Sequence, residues 1–198
     1  MTSGRRATVT RETRETRVSV SVDLDGCGDF SIETGIGFFD HMLSHIAKHG
    51  VFDLDIKVSG DLEVDEHHSI EDTALAMGEA FAEALGTKDG IVRAGHAEMP
   101  LDEALAMATV DLSGRPFSVI DLKLLGAEVG GLPPDILTHF IESFAAALSA
   151  NIHLTVITGV NDHHKAEAGF KALARALDAA CRVDPRRGGD IPSTKGSL

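Results

Sequence analysis

Apolar and polar side chains alternate along several short stretches of this chain. The clearest example covers residues 15–24, where Val18, Val20 and Val22 alternate with arginine and serine. A period of two is typical of a β-strand with one buried face, so each such stretch predicts a strand. We predict eight strands, over residues 6–13, 15–24, 29–34, 51–58, 91–99, 103–112, 117–124 and 152–159.

Four longer stretches predict helices, over residues 38–49, 66–85, 135–149 and 163–181. Gly50 follows the first of them, which predicts a glycine C-cap. Short polar turns separate the elements, and residues 86–90 form the most convincing hinge. The residues from Asp184 onward are rich in glycine and proline, and they predict an irregular tail.

The second half of the chain repeats the first in element order and in residues. Each half has the order β-β-β-α-β-α, and a lone histidine, His41 or His139, lies near the start of each short helix. VSVSVDLDG at residues 18–26 matches AMATVDLSG at 106–114, and DEHHSIE at 65–71 matches NDHHKAE at 161–167. A repeated His-His-x-x-Glu motif at equivalent places is hard to explain by chance.

The repeat predicts a tandem duplication within an α+β fold. Its first half covers residues 1–88, and its second half covers residues 89–198 and carries the C-terminal tail. Each half would be a four-stranded sheet with two helices on one face. The outer side of that helix layer still has to be covered, and the two halves can achieve this by packing helix layer on helix layer. We therefore predict a helix bundle between two four-stranded sheets.

The balance of charge limits the partners that this protein can have. The sequence has 18 Lys and Arg residues, 31 Asp and Glu residues and a formal net charge of -13 at pH 7. Nucleic acids and anionic membranes both need a basic surface, so we expect neither as a partner. No apolar stretch approaches the ~20 residues of a membrane span. Cys27 and Cys181 form no Cys-x-x-Cys pair and residues 1–13 lack an apolar signal segment, so we expect a cytoplasmic protein.

Two histidine and glutamate pairs are spaced for metal binding. His67 and Glu71 lie four residues apart in a predicted helix, as do His163 and Glu167, so each pair lies on one helix face. Imidazole and carboxylate without thiolate suit Mn, Fe, Co, Ni or Zn. One such pair alone is better explained as a polar helix N-terminus, whereas the two together favour metal binding.

The second histidine of each motif is expected to serve a different site. His68 and His164 each lie about 100° round the helix from the histidine before them. The two expected sites therefore mix the halves of the chain. One comprises His67, Glu71 and His164, and the other His163, Glu167 and His68, with His41 and His139 left to complete the sets.

Other candidate residues have ordinary explanations beside the functional ones. His41, His45 and His49 form a stripe on one helix face, which predicts either a functional cluster or a partly buried polar seam. Glu15 and Glu103 begin matching strands, where a solvated strand end is the simpler explanation. Candidate phosphate ligands, each of which alone is more often a surface charge, are Arg93, Arg115, Ser193 and Lys195.

Taken together, these residues resemble the imidazoleglycerol-phosphate dehydratase family over nearly the whole chain. The motifs that carry the resemblance are RET at 11–13 with ET at 15–16, GFFDHML at 37–43, HHSIED at 67–72, DLSGRP at 111–116, HHKAEAGFKA at 163–172 and PSTKG at 192–196. Small departures occur at Ala94, where an aromatic residue is expected, and at Leu101, where methionine is usual. Neither position is a proposed ligand.

The resemblance implies a reaction, a cofactor and an assembly. The family dehydrates imidazole glycerol phosphate to imidazole acetol phosphate in histidine biosynthesis. It uses two Mn ions per active site and assembles as a 24-subunit shell with active sites between subunits. The implied metal ligands are His41, His67, His68, Glu71, His139, His163, His164 and Glu167. The implied substrate contacts are Glu15, His49, Arg93, Arg115, Lys171, Ser193 and Lys195.

The chemistry explains why such residues are needed. The hydroxyl and the proton leave from carbons that no carbonyl activates, so the imidazole ring must act as the electron reservoir. Metal bound at both ring nitrogens would stabilise an imidazolate. Our hypothesis is that Glu15 is the base that removes the carbon-bound proton. His45 or His49 would protonate the departing hydroxyl, and the sequence does not choose between them.

Two other functions would also use duplicated histidine and glutamate motifs. A metal-storage shell without catalysis would leave Glu15 and the Ser-Thr-Lys tail unexplained. A metal-dependent phosphohydrolase would be expected to have sites rich in carboxylates, whereas histidines outnumber acids here. Products distinguish the three functions, because only the lyase forms a ketone without releasing phosphate.

Overall fold

The computed structural model describes residues 4–196, which form eight strands and four long helices. The strands are β1 (Arg6–Glu12), β2 (Thr16–Asp23), β3 (Phe30–Glu33), β4 (Asp53–Gly60), β5 (Ala94–Leu101), β6 (Ala104–Asp111), β7 (Phe117–Asp121) and β8 (Asn151–Thr158). The helices are α1 (Gly37–Gly50), α2 (His67–Leu85), α3 (Pro134–Leu148) and α4 (Asp162–Cys181), with a short 3-10 helix at Pro185–Arg187. Residues 1–3 and 197–198, at the ends of the two predicted halves, lie outside the described residues.

The strands form two sheets with the same internal order. The first sheet has the order β1-β2-β4-β3 and the second β5-β6-β8-β7. In each sheet the last pair, β3 with β4 or β7 with β8, is parallel and the other pairs are antiparallel. Val20 lies opposite Val9 on one side and Ile56 on the other, and all three are buried. The alternating valines therefore face the core, as their pattern predicts.

The four helices lie between the two sheets, and they pack across the halves. α2 packs on β1 and β2, and α4 packs on β5 and β6. α1 of the first half contacts α4 of the second, and α2 contacts α3. Buried rings join these helices, with centroids 5.1 Å apart for Phe39 and Phe140 and 5.8 Å apart for Phe140 and Phe170. The predicted α+β fold is confirmed.

The residue that caps the C-terminus of α1 is not the glycine that the sequence predicts. Gly50 is the last helical residue, and the C-cap is Val51, which adopts the left-handed region with a φ of 60°. Glycine is needed at position 50 for packing instead, because a Cβ there would lie 2.4 Å from the ring of Phe52. The expectation of a glycine C-cap is therefore wrong.

Two strands are also displaced from their predicted bounds. β5 begins at Ala94 instead of residue 91, because Arg93 has a φ of 78° and interrupts the extended backbone. Ile91 instead makes an isolated bridge with Val183. β7 ends at Asp121, two residues before Lys123 turns the backbone with a φ of 51°. Within residues 4–196, no helix is both long and apolar enough to cross a membrane.

Candidate active site

The packing of α1 on α4 brings three histidines to one carboxylate, which we call the Glu167 cluster. Glu167 Oε2 lies 3.1 Å from His41 Nε2 and 3.2 Å from His163 Nε2. Its other oxygen, Oε1, lies 3.4 Å from His45 Nε2 and 2.5 Å from Lys171 Nζ. The cluster joins a short-helix histidine of the first half to the His-x-x-x-Glu pair of the second.

The packing of α2 on α3 forms the reciprocal group, the Glu71 cluster. Glu71 Oε2 lies 3.6 Å from His67 Nε2, and Oε1 lies 3.6 Å from His139 Nε2. The rings of His67 and His139 stack with centroids 4.8 Å apart. His139 Nε2 is buried and has no hydrogen-bond partner. Each cluster therefore combines side chains from both halves of the chain.

The outer histidine of each motif is held by a carboxylate away from these clusters. His68 Nδ1 lies 3.1 Å from Asp61 Oδ2, and His164 Nδ1 lies 2.7 Å from Glu103 Oε2. These hydrogen bonds raise the pKa of both imidazoles. Among the described residues of one chain, neither histidine joins a group of ligand atoms close enough to share an ion.

The expected ligand sets are therefore rearranged within a single chain. His164 does not join His67 and Glu71, and His68 does not join the Glu167 cluster. The short-helix histidines take those places because α1 and α3 pack directly on the opposite long helices. A ligand whose Nδ1 is held by a carboxylate has its ring orientation and tautomer fixed for binding at the other nitrogen.

Glu103 and Asp61 hold the outer histidines, a role that the sequence analysis assigned to neither residue. Glu103 accepts hydrogen bonds from the backbone N–H groups of Val160 and Asn161, at 3.1 and 2.8 Å, as well as facing His164. The hydrogen bond to His164 and these backbone contacts lower the pKa of Glu103 to about 2. Glu103 is thus exposed next to the end of a strand, as the simpler explanation expects, but its carboxylate is also bound by His164 and by two backbone N–H groups, which the sequence does not reveal.

Electrostatics divide the Glu167 cluster into charged and neutral members. Burial would raise the pKa of Glu167, but the hydrogen bond from Lys171 and the neighbouring His45 and His41 outweigh it and lower the pKa to about 2. Burial lowers the pKa of His45 to about 4, and it also lowers that of His49. Near pH 7, Glu167 is therefore an ionised carboxylate, which is the state that a metal ligand requires, and the neighbouring His45 is neutral.

Glu15 lies in the turn between β1 and β2, where its side chain is exposed. Its negative charge contributes to the raised pKa of His68, so the two groups lie in the same region. Its backbone N–H donates to Thr13 Oγ1 at 3.2 Å.

The candidate phosphate ligands lie in separate parts of the chain. Arg93 donates to both oxygens of Asp111, at 2.7 and 3.1 Å, and to the carbonyl of Pro192 at 2.7 Å. It therefore lies beside the tail that contains Ser193 and Lys195. Arg115 lies exposed between β6 and β7, whereas Lys171 is engaged with Glu167.

The donor atoms of both clusters fit a divalent transition metal. Each cluster offers imidazole nitrogen and carboxylate oxygen without sulfur, a set that suits Mn, Fe, Co, Ni or Zn. The unpartnered His139 Nε2 supports this assignment, because a buried ring nitrogen without a hydrogen bond is costly unless a ligand or ion satisfies it.

The fold and the clusters define a duplicated α+β protein with histidine and carboxylate sites at the contacts between its halves. The family model for imidazoleglycerol-phosphate dehydratase matches residues 34–177. The chain is 53% identical over 198 residues to the imidazoleglycerol-phosphate dehydratase of Chloroflexus aggregans, covering 100% of this chain and 97% of that protein. It is 52% identical to that of Methanothermobacter thermautotrophicus, with 100% of both chains covered.

Solved structures agree with these sequence matches. The Pyrococcus furiosus structure in complex with (S)-C348 has a TM-score of 0.83 and 34% sequence identity, covering 96% of this chain and 100% of that chain. The Staphylococcus aureus imidazoleglycerol-phosphate dehydratase has a TM-score of 0.82 and 31% identity, covering 90% of this chain and 99% of that chain. The chain belongs to the imidazoleglycerol-phosphate dehydratase family, and it is a hydro-lyase of histidine biosynthesis.

Proposed function

We propose that this enzyme converts D-erythro-imidazole glycerol phosphate to imidazole acetol phosphate and water, with two Mn ions per active site and Glu15 as the base. The observation that carries the proposal is the pair of clusters around Glu71 and Glu167. Each cluster presents imidazole nitrogens beside a carboxylate oxygen, so each can hold one ion.

Eight residues would hold the ions. They are His41, His67, His68, Glu71, His139, His163, His164 and Glu167. Because His68 and His164 are directed to Asp61 and Glu103 instead of to a cluster of their own chain, a second copy would supply them. This arrangement supports active sites between subunits of a homo-oligomer, for which we propose 24 subunits. We further propose that the repeat boundary lies between residues 88 and 89.

When bound, the ions supply Lewis acidity, which lowers the pKa of ring nitrogens that they contact. The chain's own groups move the protons. Glu15 is exposed and has no hydrogen-bonded partner for its carboxylate among the described residues, so a carbon-bound proton can reach it. His45 or His49 would protonate the departing hydroxyl. Because burial lowers the pKa of both side chains, the imidazolium of either is a stronger acid than that of an exposed histidine.

Arg93, Arg115, Lys171, Ser193 and Lys195 would bind the phosphate. Arg93 donates two hydrogen bonds to the carboxylate of Asp111, which fix its guanidinium group beside the tail. This fixed position supports phosphate binding by Arg93 together with the tail. Binding energy from the phosphate then positions the reacting carbons, which do not contact these side chains. The acidic net charge of -13 supports an enzyme without nucleic-acid or anionic-membrane partners. We propose that it acts in the cytoplasm.

One assay separates this function from a phosphohydrolase and from a storage shell. The Mn-loaded enzyme is incubated with imidazole glycerol phosphate, and the ketone product and free phosphate are measured together. We expect ketone without phosphate. Release of phosphate would indicate the hydrolase, and the absence of both products would indicate the shell.

Substitution tests the role of Glu15. We expect Glu15→Gln to lose at least about 100-fold in kcat, as typical for loss of a general base, while the Mn content measured by atomic absorption is unchanged. Near-normal turnover with both ions bound would exclude Glu15 as the base. The matched control is Glu12→Gln, because Glu12 is an exposed glutamate at the end of β1, next to the same turn, and pairs with Arg17.

A further inference from the structure

We infer that Asp72 is a positioning residue, which holds the turn bearing Glu15 against the metal-binding helix. The inference rests on the proposed role of Glu15 as base. Asp72 directly follows Glu71 in α2, and its side chain is only 11% exposed. It therefore links the two parts of the proposed site, the ligand-bearing helix and the turn between β1 and β2.

Three side chains donate hydrogen bonds to the carboxylate of Asp72. Arg11 Nε reaches Oδ1 at 2.6 Å, and the hydroxyl groups of Thr16 and Thr13 reach Oδ2, the second at 3.5 Å. Both oxygens of Asp72 are thus occupied by groups that begin and end the same turn. All three partners donate, so both oxygens of Asp72 act as hydrogen-bond acceptors.

The hydroxyl of Thr13 connects this group of contacts to the backbone of the turn. Thr13 Oγ1 accepts hydrogen bonds from the N–H groups of Glu15 at 3.2 Å and Thr16 at 3.0 Å. A chain of hydrogen bonds therefore runs from Asp72 to the hydroxyl of Thr16, across 3.2 Å to the hydroxyl of Thr13, and on to the backbone N–H of Glu15. Because the side chain of Glu15 itself is exposed, this backbone anchor is what fixes its position relative to α2.

The second half of the chain has no aspartate equivalent to Asp72, and Glu103, the residue that matches Glu15, makes different contacts. Ala168 follows Glu167 where Asp72 follows Glu71, and Asp102 and Glu103 alone separate β5 from β6. There the carboxylate of Glu103 is bound to His164 and to two backbone N–H groups. The duplication has therefore diverged: one glutamate orients a histidine, and the other is left available on an anchored turn.

Replacing Asp72 by asparagine tests the inference. The amide would place a donor against Arg11 or the two threonines, so the turn would shift while the helix and Glu71 remain. A misplacement of about 1 Å can cost on the order of 100-fold in rate, and we expect Asp72→Asn to lower kcat by about 10- to 100-fold. KM, which reflects phosphate binding by distant groups, should change by less than about 3-fold.

A double-mutant cycle with Glu15→Gln distinguishes positioning from a general structural defect. If Asp72 acts through Glu15, adding Asp72→Asn to Glu15→Gln should lower kcat by less than about 2-fold further. A full additional loss in the double variant would overturn the inference, and so would a loss of bound Mn in Asp72→Asn. Near-normal turnover by Glu15→Gln alone would instead remove the proposed base, on which the inference depends.

Two further variants protect the test against misfolding. Thr13→Val removes the connecting hydroxyl without disturbing Asp72 and should also lower kcat, whereas Thr13→Ser should restore it. Asp23→Asn is the matched control, because Asp23 is a similarly buried aspartate that pairs with Arg6 at the far end of the same two strands. It should leave kcat within about 2-fold of the parent. Equal activity of Thr13→Val and Thr13→Ser would overturn the proposed connection.

Discussion

His45 is a histidine whose surroundings oppose its protonation. Only 13% of its side chain is exposed, and burial lowers its pKa to about 4 even though Glu167 lies 3.4 Å away. His41, Lys171 and His49 add to the effect, since each lowers the pKa of His45 through its charge. A proton therefore binds His45 far more readily in the unfolded chain than in the folded one.

This difference predicts how the stability of the metal-free protein depends on pH. The unfolded chain gains a proton at His45 below about pH 6.5, whereas the folded chain gains it only near pH 4. The free energy of unfolding should therefore fall by ~2 kcal/mol between these values. Glu167 has a folded pKa of about 2 and an ordinary value of 4.5, so its contribution to stability is lost mainly below about pH 4.5, at and beyond the lower end of this window.

Urea denaturation of the metal-free protein at pH 7 and pH 4.5 measures the effect. His45→Gln should flatten the pH dependence, because the unequal proton binding is removed. His153→Gln is the matched control, since His153 is exposed on β8 and its replacement should leave the dependence as it is. The explanation fails if the two variants show the same slope.

Individual residues of the site were predictable to the extent that helix spacing determines them. The four-residue spacing of His67 and Glu71 places both on one face, and the structure shows their ligand atoms 3.6 Å apart. Which third residue joins them depends on how α2 packs on α3, and spacing along the chain carries no information about that contact. His139 was therefore assignable to the site by resemblance but not to this particular cluster.

At the scale of helices, α2 and α3 approach closely at a single glycine. A Cβ at Gly78 would lie 2.6 Å from Ala147 Cβ, 2.8 Å from Phe144 O and 2.9 Å from Leu148 N. These contacts include backbone atoms of α3, which cannot move without shifting the whole helix. The same contact brings His139 of α3 to the Glu71 cluster, so the packing at this glycine also sets the geometry of the site.

Gly78→Ala should destabilise the protein despite the better helix propensity of alanine. The propensity gain is about 1 kcal/mol. Overpacking costs roughly 1–3 kcal/mol, and here the cost should lie in the upper part of that range, roughly 2–3 kcal/mol, because a helix must move. We expect a net loss of about 1–2 kcal/mol in the free energy of unfolding, measured by urea denaturation. Metal affinity at the Glu71 cluster should weaken as well, because His139 moves with α3.

Gly37→Ala provides the contrast within the same protein. Gly37 begins α1, and a Cβ there would meet no atom within 4 Å. Alanine should therefore stabilise the protein by about 0.5 kcal/mol. If both variants were stabilised equally, close approach at Gly78 could not be the reason for glycine at that position.

The order and type of the elements follow from the sequence because buried faces impose their periods on it. The boundaries that were wrong lie where a single residue adopts a left-handed backbone conformation, as at Val51, Arg93 and Lys123. None of these residues is glycine, so the residue type does not indicate a left-handed conformation. Their conformations are stabilised by contacts distant in sequence, for example the hydrogen bond from the Arg93 N–H to the carbonyl of Ala180.

At the scale of the whole molecule, two of the proposed metal ligands lie apart from both clusters of their own chain. His68 and His164 are oriented by Asp61 and Glu103, yet among the described residues neither belongs to a cluster of its own chain. Shared sites would let a single ion bind two copies, so binding of metal and assembly of subunits would be one coupled equilibrium.

This coupling predicts that metal removal changes the size of the particle. The Mn-loaded protein should form a large homo-oligomer in light scattering, and complete chelation should shift it to smaller species. Acidification should act in the same direction, because ligand histidines must be neutral to bind metal and protonation releases the ions. Restoring Mn at neutral pH should recover the original size.

Single substitutions show whether the particle comes apart because shared ligands are lost or because the fold is destabilised in general. His164→Ala should impair assembly even in excess Mn, because it removes a ligand offered to another copy while the Glu167 cluster stays intact. His96→Ala, at an exposed histidine of β5, should assemble normally. A particle of unchanged size after all Mn has been removed would contradict the coupling, since contacts between protein surfaces would then suffice to hold the copies together.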